Sequence, residues 1–475
     1  MIKPYKIALF LISIQLMLGA IAWVMPEEGI ALWGEAAISF SNPKDFYKDK
    51  LRELEVLNEV ASQYSLEELE MDTLLAANVD SLLLNSAIVL DARERILHPS
   101  DFENGLYSFY HKLSKVNDLS KPLRILHFGD SQLEGDRISG VVRENLQTLF
   151  GGCGVGFMPI SETNSGRLNV FKKERGWERY QVFGKGRKGK HSKYGFLGYY
   201  HRVSSDSEGS GTAEIELSRN SRYFKKAQNF ETMSVLYGSG GKGCNYELST
   251  DTGMISKGNL TESSMVNRSM WQIDGFNTGK ISFSLDAINS PDVYGVSLDC
   301  RKGIAVDNIA LRGSSGTDFT KMDKASLTQQ LKELNVGLII FQFGLNVVPA
   351  ELKSYRYYEN TIYKQLVLLK EILPDASILV ISVTDACKSE EESFANINLV
   401  RDAQRKAAKR ANCSFWDLYE VMGGELSMPS WVNANPSLAE KDFMHFNKRG
   451  AKVIGNKLFN AIISDYNDFK STSIN

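Results

Sequence analysis

Cysteine is scarce in this sequence and neither sign of charge is in excess, and both features exclude classes of protein. The 475 residues include five cysteines with no C-x-x-C spacing, which argues against a structural zinc site. Lys and Arg number 55 against 57 Asp and Glu, so the chain lacks the basic footprint of a nucleic-acid-binding protein. The glycine-rich run Gly151 to Gly156 lacks the Lys-Ser/Thr ending of a phosphate-binding loop, and we interpret it as a turn. We therefore expect no metal, no other cofactor and no nucleic-acid partner.

Long hydrophobic runs are also scarce, and the single one lies near the N-terminus, from Ile7 to about Met25, behind Lys3 and Lys6. It fits a secretory signal peptide with Ala20-Ile21-Ala22 as cleavage site, and equally an uncleaved anchor that holds the protein to the membrane through residues 7–25. The positive flank predicts that the rest of the chain lies outside the cytoplasmic membrane, periplasmic or associated with the cell envelope. One disulfide is compatible with that location, but the sequence does not choose its pair.

The chain is long enough for two or three domains, and its 43% hydrophobic content is that of a globular protein. After residues 1–25, Pro26 to Pro43 is predicted as a linker. Residues 26–118 as a whole form a predicted helical N-terminal region, because leucines recur at helical spacing. An α/β domain is predicted in two pieces, 119–164 and 300–475. Short alternating stretches between Gly- and Ser-rich turns predict an inserted β-sandwich over residues 165–299.

The stretch with the clearest chemistry begins with the apolar run from Ile125 to Phe128, which is typical of a buried parallel strand. The run ends at Gly129-Asp130-Ser131, and a helix is predicted from about Ile138 to Leu149. Ser131 is therefore expected at the carboxyl end of a strand and near a helix N-terminus, where ligands bind and negative charge is stabilised. Two interpretations remain open from this stretch alone: a nucleophile and a helix-capping serine.

Two distant segments add polar groups at the ends of predicted elements. A predicted strand from Val336 to Phe343 leads into Gly344-Leu345-Asn346. Near the C-terminus, Asp442 precedes His445 by three residues, a spacing that lets a carboxylate orient an imidazole from the same turn. The strand-like run 304–311 leads into Gly313, and strands continue to alternate with helices. This alternation predicts a parallel sheet sandwiched between helices.

Together, Gly-Asp-Ser, Gly-x-Asn and Asp-x-x-His in this order resemble the SGNH (GDSL) hydrolase superfamily. The resemblance implies that Ser131 is the nucleophile, that His445 is the general base and that Asp442 orients His445. It implies an oxyanion hole made by the N–H groups of Ser131 and Gly313 and the side-chain amide of Asn346. Gly-x-Ser-x-Gly is absent, which disfavours an ordinary α/β-hydrolase. Val347 follows Asn346 where the superfamily commonly has Asp, and the amide that acts is retained.

Within the superfamily, the run from Ile125 to Phe157 looks like bacterial peptidoglycan O-acetylesterases. Those enzymes carry a carbohydrate-binding-module-like β-domain between the first and second blocks and work outside the cytoplasmic membrane. The likeness extends from about Lys121 to the C-terminus and leaves residues 26–118 without a counterpart. Aromatic side chains of the insert, Trp177 and Tyr199 among them, are predicted to stack on sugar rings, and the alternative is that they are core residues.

The sequence thus predicts an extracytoplasmic serine esterase that removes O-acetyl groups from peptidoglycan or another polysaccharide through an acetyl-serine intermediate. Two alternatives stay open. A polysaccharide O-acetyltransferase of the same fold would use the same intermediate, so the triad does not separate the two enzymes. A non-catalytic carbohydrate-binding protein is the third reading, and the intact set of Ser131, Asn346, Asp442 and His445 argues against it.

Overall fold

The structure is a computed structural model that describes residues 30–33, 36–38, 90–99, 105–163, 166–206, 210–220, 223–238, 240, 243–262 and 265–473. The strands in chain order are β1 Ile30–Trp33, β2 Ala36–Ile38, β3 Leu123–Gly129, β4 Gly156–Met158, β5 Val170–Arg175, β6 Trp177–Gln181, β7 Tyr199–Val203, β8 Gly211–Arg219, β9 Thr232–Gly238, β10 Cys244–Thr250, β11 Gly253–Asn259, β12 Asn267–Gln272, β13 Ile281–Ala287, β14 Asp292–Asp299, β15 Ile304–Ala310, β16 Val336–Gln342, β17 Ser377–Ile381 and β18 Ser414–Trp416. The α-helices are α1 Tyr107–Ser114, α2 Ser139–Phe150, α3 Lys324–Lys332, α4 Arg356–Ile372, α5 Ile397–Arg410, α6 Leu418–Met422, α7 Ser427–Asn433 and α8 Lys448–Ser473.

Five parallel strands form the predicted α/β sheet, in the spatial order β15-β3-β16-β17-β18. Among the five strands of this sheet, β3 comes first in the chain but lies between β15 and β16, the second and the third, so the direction of winding reverses beside β3. In open parallel sheets, ligands bind outside the carboxyl ends of the strands at such a reversal. The topology therefore points to the end of β3, where Ser131 lies.

Helices cover both faces of this sheet because the side chains of each strand alternate between the faces. Leu126 and Phe128 of β3 belong to the apolar cluster that includes Leu327 of α3 and Ile362 of α4. The alternate residue His127 faces α2, where it meets Ser139. A parallel sheet flanked by helices was predicted, and the structure confirms it.

The insert is an antiparallel β-sandwich, also as predicted, with one sheet in the order β11-β10-β13-β8-β5 and the other in the order β12-β9-β14-β7-β6. Its core is apolar and includes Val235, Leu248 and Phe283. Before the predicted start of the insert at residue 165, β4 (Gly156–Met158) already pairs with β14 of the sandwich. The sequence did not show this because three residues carry too little alternation to identify a strand.

A disulfide joins Cys153 to Cys300, the residues beside which the chain leaves the parallel sheet and returns to it. The other three cysteines are buried thiols. At the same junction, the buried Arg124 of β3 forms ion pairs of 2.8 Å with Asp299 and 2.5 Å with Asp307. The β-sandwich is thus attached to the parallel sheet by a covalent bridge and a buried charge cluster.

The N-terminal region differs from its prediction where it is described. The predicted linker contains an antiparallel hairpin, β1 with β2. Leu97 pairs with Phe415 of β18, and α1 contributes the buried Phe109 to the α/β domain, so the end of the predicted region 26–118 packs with that domain. The predicted signal peptide or anchor and most of the predicted helices lie outside the described residues. None of the helices in the described ranges is long and apolar enough to cross a membrane.

Candidate active site

The ends of three neighbouring strands meet at the winding reversal. Ser131 follows β3, Gly313 follows β15 and Asn346 follows β16. The turn after β3 needs glycine at position 129, because a Cβ there would lie 2.7 Å from the carbonyl oxygen of Gln342. Asp130 then caps a short 3-10 turn, Ser131–Asp136, by accepting a hydrogen bond from the N–H of Gln132 at 3.1 Å. The cap is therefore Asp130, which leaves the Ser131 hydroxyl free for other contacts.

Ser131, His445 and Asp442 form a continuous hydrogen-bonded relay. The Ser131 hydroxyl lies 2.8 Å from Nε2 of His445. Nδ1 of His445 lies 2.7 Å from Oδ2 of Asp442, and the other oxygen of Asp442 accepts the backbone N–H of His445 at 3.0 Å. This is the geometry in which an imidazole accepts a serine proton while a carboxylate fixes its tautomer.

The two carboxyl groups of the site have opposite environments. Partial burial disfavours the charged form of Asp442, but hydrogen bonds from the His445 ring and backbone outweigh it and hold the pKa below its usual range. Complete burial raises the pKa of Asp130 to about 6, although the N–H groups of Gln132 and Leu345 oppose the shift. Asp442 is therefore the charged partner of the imidazole. In the described ranges, no group of three or more His, Cys, Asp or Glu is placed to hold a metal ion.

Hydrogen bonds also connect the loops that carry the predicted oxyanion donors. The amide nitrogen of Asn346 donates to the carbonyl of Ser314 at 2.9 Å, and a primary amide keeps a second N–H for a ligand. Leu345 donates its N–H to Asp130 at 3.3 Å. Gly313 has a φ of +82° and is exposed, and a Cβ there would meet no atom within 4 Å, so the backbone conformation and not crowding favours glycine.

Two residues that sequence reasoning missed, Gln132 and Arg137, connect the loop that carries His445 to the turn that carries Ser131. The Gln132 side chain donates to the carbonyl of Met444 at 2.8 Å and accepts the N–H of Phe446 at 3.2 Å, so it bonds the backbone on both sides of His445. Arg137 donates to the carbonyls of Phe446 at 2.6 Å and Ser131 at 2.9 Å. Both residues lie close to Ser131 in the sequence, but their partners Met444 and Phe446 lie more than 300 residues away.

Replacing Gln132 with Leu is expected to lower kcat by about 10²-fold with little change in KM, because a small misplacement of His445 is costly in catalysis. The matched control is Gln147→Leu, since Gln147 is a buried amide that donates to the carbonyls of Gly154 and Ile304 away from the site. Both variants lose stability, but only Gln132→Leu should lose kcat. Equal kcat losses in the two variants would contradict a positioning role.

His127 supports the site from beneath as a neutral ring. Asn308 donates to the Ser139 hydroxyl at 2.9 Å, which leaves that hydroxyl to donate to Nδ1 of His127 at 3.0 Å. Nε2 of His127 then donates to Gln342 at 3.0 Å. Complete burial lowers the pKa of His127 to about 4, so the ring keeps this arrangement at neutral pH.

This depressed pKa predicts a specific acid sensitivity. Between pH 6.5 and 4 the unfolded chain binds a proton at residue 127 that the folded protein does not bind, so the stability from neutral His127 is lost as pH falls. Relative to His127→Gln, the wild type is expected to lose about 3 kcal/mol of unfolding free energy between pH 7 and pH 4. Urea unfolding at each pH measures this difference. If the unfolding free energies of the wild type and His127→Gln changed in parallel between pH 7 and pH 4, the predicted acid sensitivity would be refuted.

The β-sandwich contacts the turn that carries Ser131 directly. Leu168 donates its N–H to the carbonyl of Gly135 at 2.9 Å, and the Asn169 amide donates to Asp136. Asp136 is completely buried and also pairs with Arg143 of α2 at 2.5 Å. The inserted domain therefore helps to shape the turn that carries Ser131.

The aromatic residues proposed for sugar stacking are not both on the surface. Tyr199 is 2% exposed and packs edge-on against Phe183, so the prediction of an exposed ring is wrong there. Alternation along a β-strand fits either face of the sheet, and Tyr199 lies in the apolar cluster that also includes Leu311 of the α/β domain. Trp177 is partly buried against the sandwich core, and its indole N–H donates to the carbonyl of Glu214 at 2.9 Å. Its role in sugar binding stays a prediction.

Comparison with family models finds no match, and comparison with curated proteins finds none either. Solved structures do match. A structure described as "Peptidoglycan O-acetylesterase in action" is 18% identical, with a TM-score of 0.61, and the match covers 76% of this chain and 96% of that one. A family two carbohydrate esterase from Clostridium thermocellum in complex with cellohexaose is 10% identical, with a TM-score of 0.26 and coverage of 56% and 98%. A putative GDSL-like lipase from Bacteroides ovatus is 11% identical, with a TM-score of 0.24 and coverage of 61% and 95%.

The first of these matches covers more of the chain than the two pieces of the α/β domain alone, so the likeness includes the inserted β-sandwich. The chain thus shares the fold of a solved peptidoglycan O-acetylesterase, a parallel α/β sheet with an inserted β-sandwich.

Proposed function

We propose that the protein is a serine esterase that removes O-acetyl groups from peptidoglycan or another polysaccharide. The observation that carries the proposal is the relay from Ser131 through His445 to Asp442, with contacts of 2.8 and 2.7 Å, at the winding reversal of the sheet. The fold shared with a peptidoglycan O-acetylesterase supports the acetyl group and the glycan as the two halves of the substrate.

The reaction follows from the roles of these groups. Ser131 Oγ attacks the ester carbonyl as its proton passes to His445 Nε2, and the tetrahedral oxyanion is stabilised by the proposed donors at Ser131, Gly313 and Asn346. The intermediate collapses, the sugar oxygen takes the proton from His445, and acetyl-Ser131 remains. Water then attacks the acetyl group with His445 as base, which releases acetate and restores the serine.

An extracytoplasmic location is part of the same proposal. The apolar run from Ile7 to Met25 behind two lysines is one support. The Cys153–Cys300 disulfide is an independent one, because disulfides persist mainly in oxidising compartments. Blocking of free thiols before and after reduction, in protein taken directly from cells, tests whether the bridge is formed there.

Acetate release by the full chain tests the activity. O-acetylated peptidoglycan, acetylated xylan and a small aryl acetate are the substrates, and acetylated products are measured in the presence of a de-acetylated glycan acceptor. The proposal expects free acetate as the main product. If the acetyl group were transferred to the glycan acceptor and not released as acetate, the protein would be an acetyltransferase that uses the same acetyl-serine intermediate. No turnover of any ester would refute the proposal.

Replacing Asn346 with Ala is expected to lower kcat by about 10²–10³-fold, the usual effect of removing one oxyanion donor. KM should change little, because the donor acts mainly in the transition state. Steady-state rates on the aryl acetate measure both constants. A large rise in KM at unchanged kcat would instead identify Asn346 as a residue that binds substrate.

A further inference from the structure

The loop between β6 and β7 concentrates positive charge in an otherwise balanced chain. Its residues Gly184 to Lys193, here called the basic loop, include Lys185, Arg187, Lys188, Lys190 and Lys193 and contain no acidic residue. A local excess of this kind creates a positive potential that attracts anions even when the net charge of the protein is near zero.

The basic loop begins at the edge of the active site. A Cβ on Gly184 would lie 3.6 Å from the carbonyl oxygen of Arg312, the residue before the proposed oxyanion donor Gly313. The Arg312 side chain pairs with Glu134 at 2.7 Å, three residues after Ser131. At its other end, the carbonyl of Ser192 accepts the N–H of Asp323 at 2.8 Å. The loop therefore follows the segment that leads from Gly313 to α3.

The conformation of the basic loop is fixed by its own contacts. The Lys188 ammonium donates to the carbonyls of Val182, Phe183 and Gly184, each at 2.9 Å. Gly189 donates its N–H to the Tyr194 hydroxyl at 2.7 Å. A loop held in this way loses little conformational entropy when a ligand binds, which favours recognition.

Neighbouring acidic residues neutralise some of the charged groups around the loop but not all of them. Glu178 pairs with Arg187, Asp292 pairs with Arg202, and Asp318 pairs with Lys321. Asp323 accepts the N–H of Ser326 as the cap of α3. Lys185, Lys190 and Lys193 are exposed, and none of them has an ion-pair partner among the described residues. Three positive charges thus remain available to a ligand.

We propose that the basic loop binds the anionic groups of an O-acetylated glycan, so that the preferred substrate is a polysaccharide carrying carboxylate or phosphate groups. This rests on the proposed esterase function and deepens it by naming the substrate class. The loop lies along the active-site edge, so a chain with an acetyl group at Ser131 would extend its neighbouring sugars over Lys185 and Lys190. Carboxylate and phosphate share the chemistry that lysine ammonium groups recognise.

The test is a triple variant of the full chain, Lys185→Gln with Lys190→Gln and Lys193→Gln. Its control makes the same change of charge at Lys115, Lys302 and Lys332, which are exposed. They lie in segments that lead into β3, β15 and β16, at the amino-terminal ends of these strands and so at the end of the sheet opposite to Ser131. The substrates are an acetylated polyuronate, an acetylated glycan phosphate, neutral acetylated xylan and an aryl acetate. Binding to each polymer is measured separately by affinity electrophoresis.

The proposal expects the triple variant to lose about tenfold in kcat/KM on an anionic polymer, since each exposed charge contributes modestly. Rates on xylan and the aryl acetate should stay unchanged, and the control variant should match the wild type throughout. The preference of the wild type for anionic over neutral acetylated polymers should also fall at high salt. A loss confined to the polyuronate identifies carboxylate as the anion, and a loss confined to the glycan phosphate identifies phosphate.

Equal rates for the triple variant and the wild type on both anionic polymers would overturn the inference while leaving the esterase proposal intact, because the aryl acetate measures the latter alone. Equal losses in the triple and control variants would also overturn it. Loss of binding to phosphatidylglycerol vesicles with no effect on the polymers would assign the loop to a membrane surface instead. If no ester is turned over, electrophoretic retardation by polyuronate or glycan phosphate still decides whether the loop binds anionic glycans.

Discussion

Replacing Ser131 with Ala is expected to lower kcat for ester hydrolysis by about 10⁴–10⁶-fold, the range found when single members of a Ser-His-Asp triad are removed. The fold should be retained, because the Ser131 hydroxyl forms a single hydrogen bond, to His445, in the described residues. Its backbone carbonyl keeps its bond to Arg137 in the variant. The loss should appear in kcat and in kcat/KM together, since the attacking atom itself is absent.

The control for this variant is Ser139→Ala. Ser139 is also buried and forms a hydrogen bond with a histidine ring, that of His127. It lies in α2 and is not part of the hydrogen-bonded relay of Ser131, His445 and Asp442. Ser139→Ala is expected to cost stability and to keep most of the activity. Residual activity of Ser131→Ala within tenfold of the wild type would contradict the assignment of the nucleophile.

Removing the Cys153–Cys300 disulfide is expected to lower the free energy of unfolding more than any of the other substitutions proposed for this protein. The bridge closes a segment with a sequence separation of 147 residues, and the chain-entropy model gives about 5 kcal/mol for a loop of that length. The double variant Cys153→Ala with Cys300→Ala should therefore unfold at much lower urea concentration. The buried free thiols of Cys244, Cys387 and Cys413 stay unchanged in this comparison.

Reduction provides the matched control. Dithiothreitol should lower the unfolding free energy of the wild type towards that of the double variant and should leave the double variant unaffected. Coincident urea curves for the oxidised wild type and the double variant would show that the bridge contributes nothing, in disagreement with its position at the junction of the two parts of the fold.

The parts of the structure that could be predicted are those that depend on residues close together in the sequence. The apolar run from Ile125 to Phe128 predicts a buried strand because such strands need apolar side chains on both faces. The short spacing from Asp442 to His445 predicts their contact, which the structure places at 2.7 Å. The alternation of strands and helices gave the parallel sheet, since its crossovers require helices between consecutive strands.

The features that could not be predicted depend on pairs that only the folded chain brings together. Gln132 has no local pattern that indicates a bond to residues 444 and 446. The pairing of Cys153 with Cys300 depends on where the insert leaves and returns. The burial of Tyr199 could not be predicted, because an aromatic residue in an alternating strand suits a surface and a core equally, and its neighbours in the apolar cluster lie far away in the sequence.

Reaction with a phosphonate ester, followed by peptide mapping by mass spectrometry, tests the central claim most directly because it reports the nucleophile without requiring the natural substrate. The account predicts one phosphonyl group per chain, attached to Ser131, with labelling that is strongly slowed in His445→Ala because the base is then missing. Labelling of another residue, or no labelling of Ser131 in the folded full-length chain, would contradict it.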